Sequence, residues 1–236
     1  MQARFVLFSV TAFLTASLAA CKDSTTTPVA VISPARALVR TGDQQRLTVA
    51  TVASDSLSIG VYATDGAPVV GVTVRWSVAG GNGKVGLDSS LTDASGVATT
   101  TFIAGTVAGV DQVTATIAGL DAVLFSETAL PGAPARLTAM IAPEDSVMEG
   151  ATLMGLGVRV VDQFGNSVPN VNITFSIVSP MDGDQLSVLT TTTNADGIAL
   201  DAFSAGSEAG QRTVTVTTDS NLTVTYLLDV LAPSSE

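Results

Sequence analysis

From residue 29 onward, apolar and polar side chains alternate in short runs. Val171, Ile173, Phe175 and Ile177 share one parity, and Asn172, Thr174 and Ser176 the other; a period of two is the pattern of a β-strand with one buried face. Leu57, Ile59, Val61 and Ala63 alternate in the same way with Ser58, Gly60, Tyr62 and Thr64, and Val72, Val74, Trp76 and Val78 with Thr73, Arg75 and Ser77. These two runs predict facing strands. Further strands are predicted over 97–104, 112–117 and 122–127, then over 135–141, 152–161, 185–190, 197–204, 213–217 and 222–230. Within 152–161, Met154, Leu156, Val158 and Val160 fall on one face. Turn residues punctuate the runs: GGNGK at 80–84, read as a hairpin turn, DASG at 93–96, and Gly165-Asn166 ahead of Pro169. Strong helix signals are absent after residue 20, so the fold class is all-β.

The pattern occurs twice. Gly165, Val168, Val171, Ile173, Phe175 and Ser176 repeat Gly66, Val69, Val72, Val74, Trp76 and Ser77 at a spacing of 99 positions. Later, Gly197, Phe203, Gly206, Gly210 and Val214 repeat Gly96, Phe102, Gly105, Gly109 and Val113 at a spacing of 101. The 236-residue chain is therefore read as two tandem units, 29–130 and 131–232, with a tail at 233–236. Each unit of ~100 residues can bury a core without covalent staples. Seven or so short strands per unit, separated by turns, predict a β-sandwich with Greek-key connections. Pro131-Gly132-Ala133-Pro134 makes a short, stiff junction between them, and two sandwiches in series predict a rod.

Asp162, Gly165, Asn166, Val168, Pro169, Asn170, Val171, Phe175 and Ser176, followed by TNADGIA at 193–199, resemble the bacterial immunoglobulin-like domain of group 1, found in the stalks of intimin- and invasin-type surface proteins. The likeness covers both units and is fuller in the second. In the first, Ala63 stands where Asp162 does, Ala67 replaces Asn166, and Val70-Gly71 replaces Pro169-Asn170. The resemblance implies two tandem immunoglobulin-like sandwiches and a role in cell-surface adhesion. Invasin-type proteins also carry a membrane β-barrel and a receptor-binding tip, neither of which is read in this sequence.

The N-terminus changes the picture. Residues 1–20 hold one positive side chain, Arg4, and then an uncharged run from position 5 to 20, the h-region of a secretory signal. Leu18-Ala19-Ala20-Cys21 at its end is similar to the lipobox of bacterial lipoproteins. That similarity implies cleavage before Cys21, acylation of its sulfur and new amino group, and attachment to the membrane through lipid; Lys22 in the following position points to the outer membrane. One acyl chain binds reversibly, at about 0.8 kcal/mol per buried CH₂, and two or more hold stably. Residues 21–28 form the lipidated cysteine and a polar tether, KDSTTTP, with nothing to bury.

Charge and composition exclude several functions. Ten Lys and Arg stand against 21 Asp and Glu, a net charge of −11, so nucleic acid and anionic headgroups are repelled. There is no histidine, which removes the usual general base and the commonest metal ligand, and with it any Ser-His-Asp arrangement. No enzyme activity, catalytic residue, cofactor or metal is predicted. Trp76 and Tyr226 share the parity of apolar neighbours and read as core, whereas Tyr62 lies on a polar face. GGNGK lacks the residues a phosphate loop requires, and Asp182-Gly183-Asp184 lacks the ligand spread of a calcium site.

The reading is an exported protein, lipid-anchored to the bacterial outer membrane at the cell surface or on the periplasmic side, acting as an adhesion or spacer stalk. Its alternative is a binding module whose sandwich-end loops recognise a protein or polysaccharide partner. Weak self-association is expected if the apolar run 222–230 lies at a sheet edge. Replacing the acceptor, Cys21→Ser, is expected to abolish lipid labelling and block cleavage before residue 21. Normal processing of that variant, read by radiolabelled palmitate and mass spectrometry, would refute the N-terminal reading.

Overall fold

A computed structural model describes residues 32–141 and 144–233. In the first sandwich, one sheet has the order β1 (Arg36–Thr41), β3 (Leu57–Tyr62), β7 (Val97–Thr100). The other runs β2 (Arg46–Thr48), β10 (Val123–Leu130), β9 (Gly109–Thr116), β4 (Thr73–Gly80), β6 (Ser89–Leu91), and the short β5 (Lys84–Val85) pairs with β8 (Phe102–Ile103). The second sandwich repeats the plan. Its sheets are β11 (Arg136–Ala139), β13 (Thr152–Val161), β17 (Ile198–Ser204), β15 (Gln185–Leu186), and β12 (Glu144–Met148), β19 (Thr223–Leu231), β18 (Gly210–Thr218), β14 (Asn172–Ile177), β16 (Thr190–Thr192). In each copy the first length of chain is divided between the two sheets. Its second half, β2 or β12, pairs parallel with the last strand, β10 or β19.

The two-residue period places the cores. Leu57, Ile59 and Val61 of β3 meet Val74 and Trp76 of β4, Val113 and Ala115 of β9 and Phe125 of β10 in one cluster. Leu156, Val158, Val160, Ile173, Phe175, Val214, Val216, Tyr226 and Leu228 form the other. Trp76 is 2% exposed; its ring tilts against Phe125 at 5.9 Å between centroids, and its indole N–H donates to Ser90 Oγ at 2.9 Å. Tyr226 is buried to its hydroxyl, which donates to the Gly157 carbonyl on the facing sheet. Burial pushes that phenol's pKa up. Both aromatic residues are core, as their parity predicts.

Turns are duplicated down to their side chains. Thr92 Oγ1 donates to the Val69 carbonyl and accepts from Val72 N–H, and Thr193 does the same with Val168 and Val171. Asp93 Oδ1 accepts from the N–H groups of Ser95 and Val97, as Asn194 Oδ1 does from those of Asp196 and Ile198. Such side-chain bonds mimic a backbone turn.

Four expectations are corrected. Met154 does not share the core face of Leu156: a register shift at Gly155, whose φ is +83°, turns Met154 outward to 73% exposure. The GGNGK turn leads from β4 to β5, which pairs with β8 rather than with β4, so it crosses between sheets and is no hairpin. The segment 185–190 is likewise split, its ends joining opposite sheets as β15 and the start of β16. Finally, the strand expected at 222–230 is an edge over only part of its length: β12 covers Leu227–Leu231, and among the described residues Thr223–Tyr226 pair with β18 alone.

The bulge yields a direct test. Leu156→Ala is expected to cost about 2–5 kcal/mol in urea denaturation, and Met154→Ser less than about 0.5 kcal/mol. Equal losses at the two positions would restore the one-face reading of 152–161.

Candidate functional site at the junction of the two sandwiches

The loop between β13 and β14 carries the residues that the sequence singles out as a turn, and they reach into the first sandwich. Asp162 is buried, and both its oxygens are engaged. Oδ1 accepts from the N–H groups of Phe164 at 2.8 Å and Asn166 at 2.9 Å. Oδ2 accepts from Gly132 N–H and from Asn166 Nδ2, each at 2.8 Å. Burial by itself would raise this carboxyl's pKa, but the bonds from the Asn166 amide and from the N–H groups of Gly132, Asn166 and Phe164 outweigh it and hold the pKa below the ordinary value.

Asn166 completes the contact. Its Nδ2 also donates to the Thr106 carbonyl, and its Oδ1 accepts from Ala108 N–H, both at 2.8 Å. Thr106 and Ala108 belong to the β8–β9 loop of the first sandwich, while Gly132 lies in the connecting segment. One buried carboxylate and one amide thus tie the second sandwich to the connector and to the end of the first.

The first copy shows that this pair is not needed to make the turn. Ala63 N–H donates to the Ala67 carbonyl at 2.9 Å and Gly66 N–H to the Ala63 carbonyl at 3.0 Å. The same two bonds join Asp162, Asn166 and Gly165 at 2.9 and 3.1 Å. Asp65 Oδ1 supplies a local bond to Ala67 N–H instead. Identical turns with different side chains separate the two roles: glycine and backbone form the turn, and Asp162 and Asn166 form the junction.

The remaining candidates are placed as follows. Cys21, with Leu18, Ala19 and Ala20, lies outside the described residues. Tyr62 accepts from Arg40 Nη1 at 3.0 Å, and the Arg36 guanidinium stands 5.5 Å above its ring. The loop 182–184 spends its inner carboxylate internally: Asp184 accepts from Arg212 Nε, Met181 N–H and Gly206 N–H. Arg212 in turn donates to the carbonyls of Gly210 at 3.0 Å and Glu208 at 2.6 Å, and both side chains of the ion pair are fully buried. Burial opposes the ionised Asp184, yet the bonds from Gly206, Met181 and Arg212 keep its pKa below the ordinary value. Among the described residues, no three metal-ligating side chains gather at one place, and no helix is long and apolar enough to cross a membrane.

The architecture is that of tandem immunoglobulin-like sandwiches, and solved structures share it. InvD of Yersinia pseudotuberculosis matches over 82% of this chain and 58% of its own, at 19% identity and a TM-score of 0.53; this chain thus spans under two thirds of that structure. The D0-D1 domain of intimin matches over 85% and 96% of the two chains, at 19% identity and a TM-score of 0.34. The adhesin FdeC of Escherichia coli matches over 86% and 66%, at 17% identity and a TM-score of 0.48. No protein-family profile and no curated protein sequence matches the chain.

With Cys21 replaced and spin labels on the exposed Thr99 and Thr174, one in each sandwich, Asn166→Ala is expected to broaden the interlabel distance distribution without lowering either unfolding midpoint by more than about 1 kcal/mol. An unchanged distribution would mean that the amide does not hold the junction.

Proposed function

We propose that this chain is a non-enzymatic, lipid-anchored envelope protein in which two immunoglobulin-like sandwiches form a stalk that spaces or presents material away from the membrane. The observation that carries the reading is the Asp162–Asn166 junction. A linker that only connects domains needs no buried carboxylate, whereas a spacer needs its units fixed to one another, and three hydrogen bonds from this turn to the connector and the first sandwich do this. The secretory run, the lipobox-like Leu18-Ala19-Ala20-Cys21 and the net charge of −11 fit an exported position at a membrane, held by acyl chains rather than by attraction to headgroups. Adhesion is the function such a stalk would serve at a cell surface.

A second reading, a module that recognises a protein or polysaccharide, is favoured by one feature. Beside β14 in the second sandwich lies an open groove of about 770 Å³ lined by Phe175, Ile177, Pro180, Leu186 and Leu189. It lies on the flank of the sandwich rather than at a loop-bearing end, and a partner there would contact side chains of a sheet margin.

Antibody labelling of intact cells, and of cells with a permeabilised outer membrane, tests the stalk as an adhesion device. Labelling of intact cells is expected. Labelling only after permeabilisation would sink adhesion and leave a periplasmic spacer. If exposed cells adhere and Leu189→Lys abolishes adherence at unchanged labelling, the groove is a binding site and the chain is more than a spacer.

A further inference from the structure

Two acids face each other inside the first sandwich. Asp111 of β9 and Glu127 of β10 are register partners, so their side chains leave the same face of the sheet. They are 2% and 0% exposed. Each has one oxygen bonded: Asp111 Oδ1 accepts from Gly83 N–H, and Glu127 Oε2 from Gln45 N–H, both at 3.0 Å. Asp111 Oδ2 and Glu127 Oε1 are buried with no partner.

Among the described residues, no base offsets the pair. Asp43, in the loop before β2, adds a third negative charge beside Glu127; its Oδ1 accepts from the N–H groups of Gln44 and Ser126. Arg46 of β2, Arg75 of β4 and Lys84 of β5 are exposed. Arg36 and Arg40 of β1 are exposed and engage Tyr62, the one ionisable side chain of β3. β7 in the facing sheet has none. Burial desolvates the Glu127 carboxylate and the charge of its register partner Asp111 repels it, so ionising Glu127 is costly.

The second sandwich provides the contrast. At the repeat spacing of 101, Arg212 stands where Asp111 does and Leu228 where Glu127 does, and Arg212 and Leu228 are again register partners. There the position forms an ion pair, Arg212 with Asp184, and each guanidinium nitrogen has an acceptor. One copy thus holds acid and base, and the other acid and acid.

We propose that the Asp111–Glu127 pair makes the first sandwich a proton-loaded domain, most stable when the pair retains a proton and loosened when that proton leaves, while the second sandwich responds to pH in the opposite sense. Burial first, then the charges of Asp43 and Asp111, raise the Glu127 pKa from 4.5 to about 7, against the lowering bond from Gln45. The folded domain therefore binds a proton that the unfolded chain releases. Its stability is fully present below about pH 4.5, falls as pH rises to about 7, and is level above that. Each unit of pKa difference is tenfold in the folding constant, so the fall is between about two and three orders of magnitude. In the second sandwich, Asp162 and Asp184 are held below the ordinary 3.8. Their contribution is complete above that value and is lost only as pH drops through their folded pKa.

The full chain carries its own reporter, because Trp76 is the single tryptophan and lies in the first core. Urea titrations between about pH 5 and 9, followed by Trp76 fluorescence, read the first sandwich; far-UV circular dichroism reads both. The expected result is a Trp76 midpoint that falls between pH 5 and 7.5 and is level above, with the other dichroism component flat across the same range. Glu127→Gln, which keeps the shape and stays neutral, is expected to remove the slope and to exceed the parent above pH 7.5. Should that variant fail to fold, Asp111→Asn is expected to move the falling limb to lower pH. A Trp76 midpoint that is flat or rises over this range, or a slope retained in Glu127→Gln, would overturn the proposal. So would restoration of the acid-side midpoint at pH 8 by millimolar calcium in the parent but not in Glu127→Gln, since the site would then take a metal ion rather than a proton.

Discussion

Apolar contact between two sheets holds each half of this protein together. The sequence has a single cysteine, at position 21, so no disulfide staples the sheets, and the cores rest on alternating side chains from facing strands. Trp76 with Phe125 and Phe102 in the first sandwich, and Phe175, Phe203 and Tyr226 in the second, fill the space between layers. A fully buried aromatic side chain contributes about 1.5–3 kcal/mol relative to exposure, and the strand pattern delivers several to each core.

Duplication then makes the two halves comparable position by position. The turn that begins β4 and β14 is drawn with the same backbone bonds in both, but only the second copy equips it with Asp162 and Asn166, and only the second copy has a sandwich preceding it among the described residues. The core position opposite the last strand is Asp111 in one copy and Arg212 in the other. In both cases a shared frame holds its shape while one or two side chains change what a site does. The frame carries stability, and the substitutions carry the junction and the response to protons.

What could be read in the sequence, and what could not, follows from the physics of sheets. Parity placed Leu57, Ile59 and Val61, Trp76, Phe175 and Tyr226 in the cores because each strand has one wet face and one dry one. Parity failed at Met154, since a bulge at Gly155 shifts the phase by one residue and a bulge leaves no periodic trace. β1, β2 and β12 were missed: Arg36–Thr41 is exposed at five of its six positions, and a short edge strand does not alternate. In sequence the junction reads as a turn because its glycine signal is that of a turn; the difference between Ala63 and Asp162 is visible, but its meaning needs the neighbouring loop. For the acid pair a signal existed. Asp111 shares the parity of Val113 and Ala115, and Glu127 that of Phe125 and Ala129, so alternation alone would have put both charges in the core.

Asp162 and Asn166 fix one sandwich to the other, and residual dipolar couplings of the partially aligned chain report whether they do. If the junction holds, backbone couplings from residues 36–130 and 136–231 fit a single alignment tensor of one magnitude. Separate tensors of clearly different magnitude would mean that the sandwiches move independently, and the account of a fixed stalk would fail.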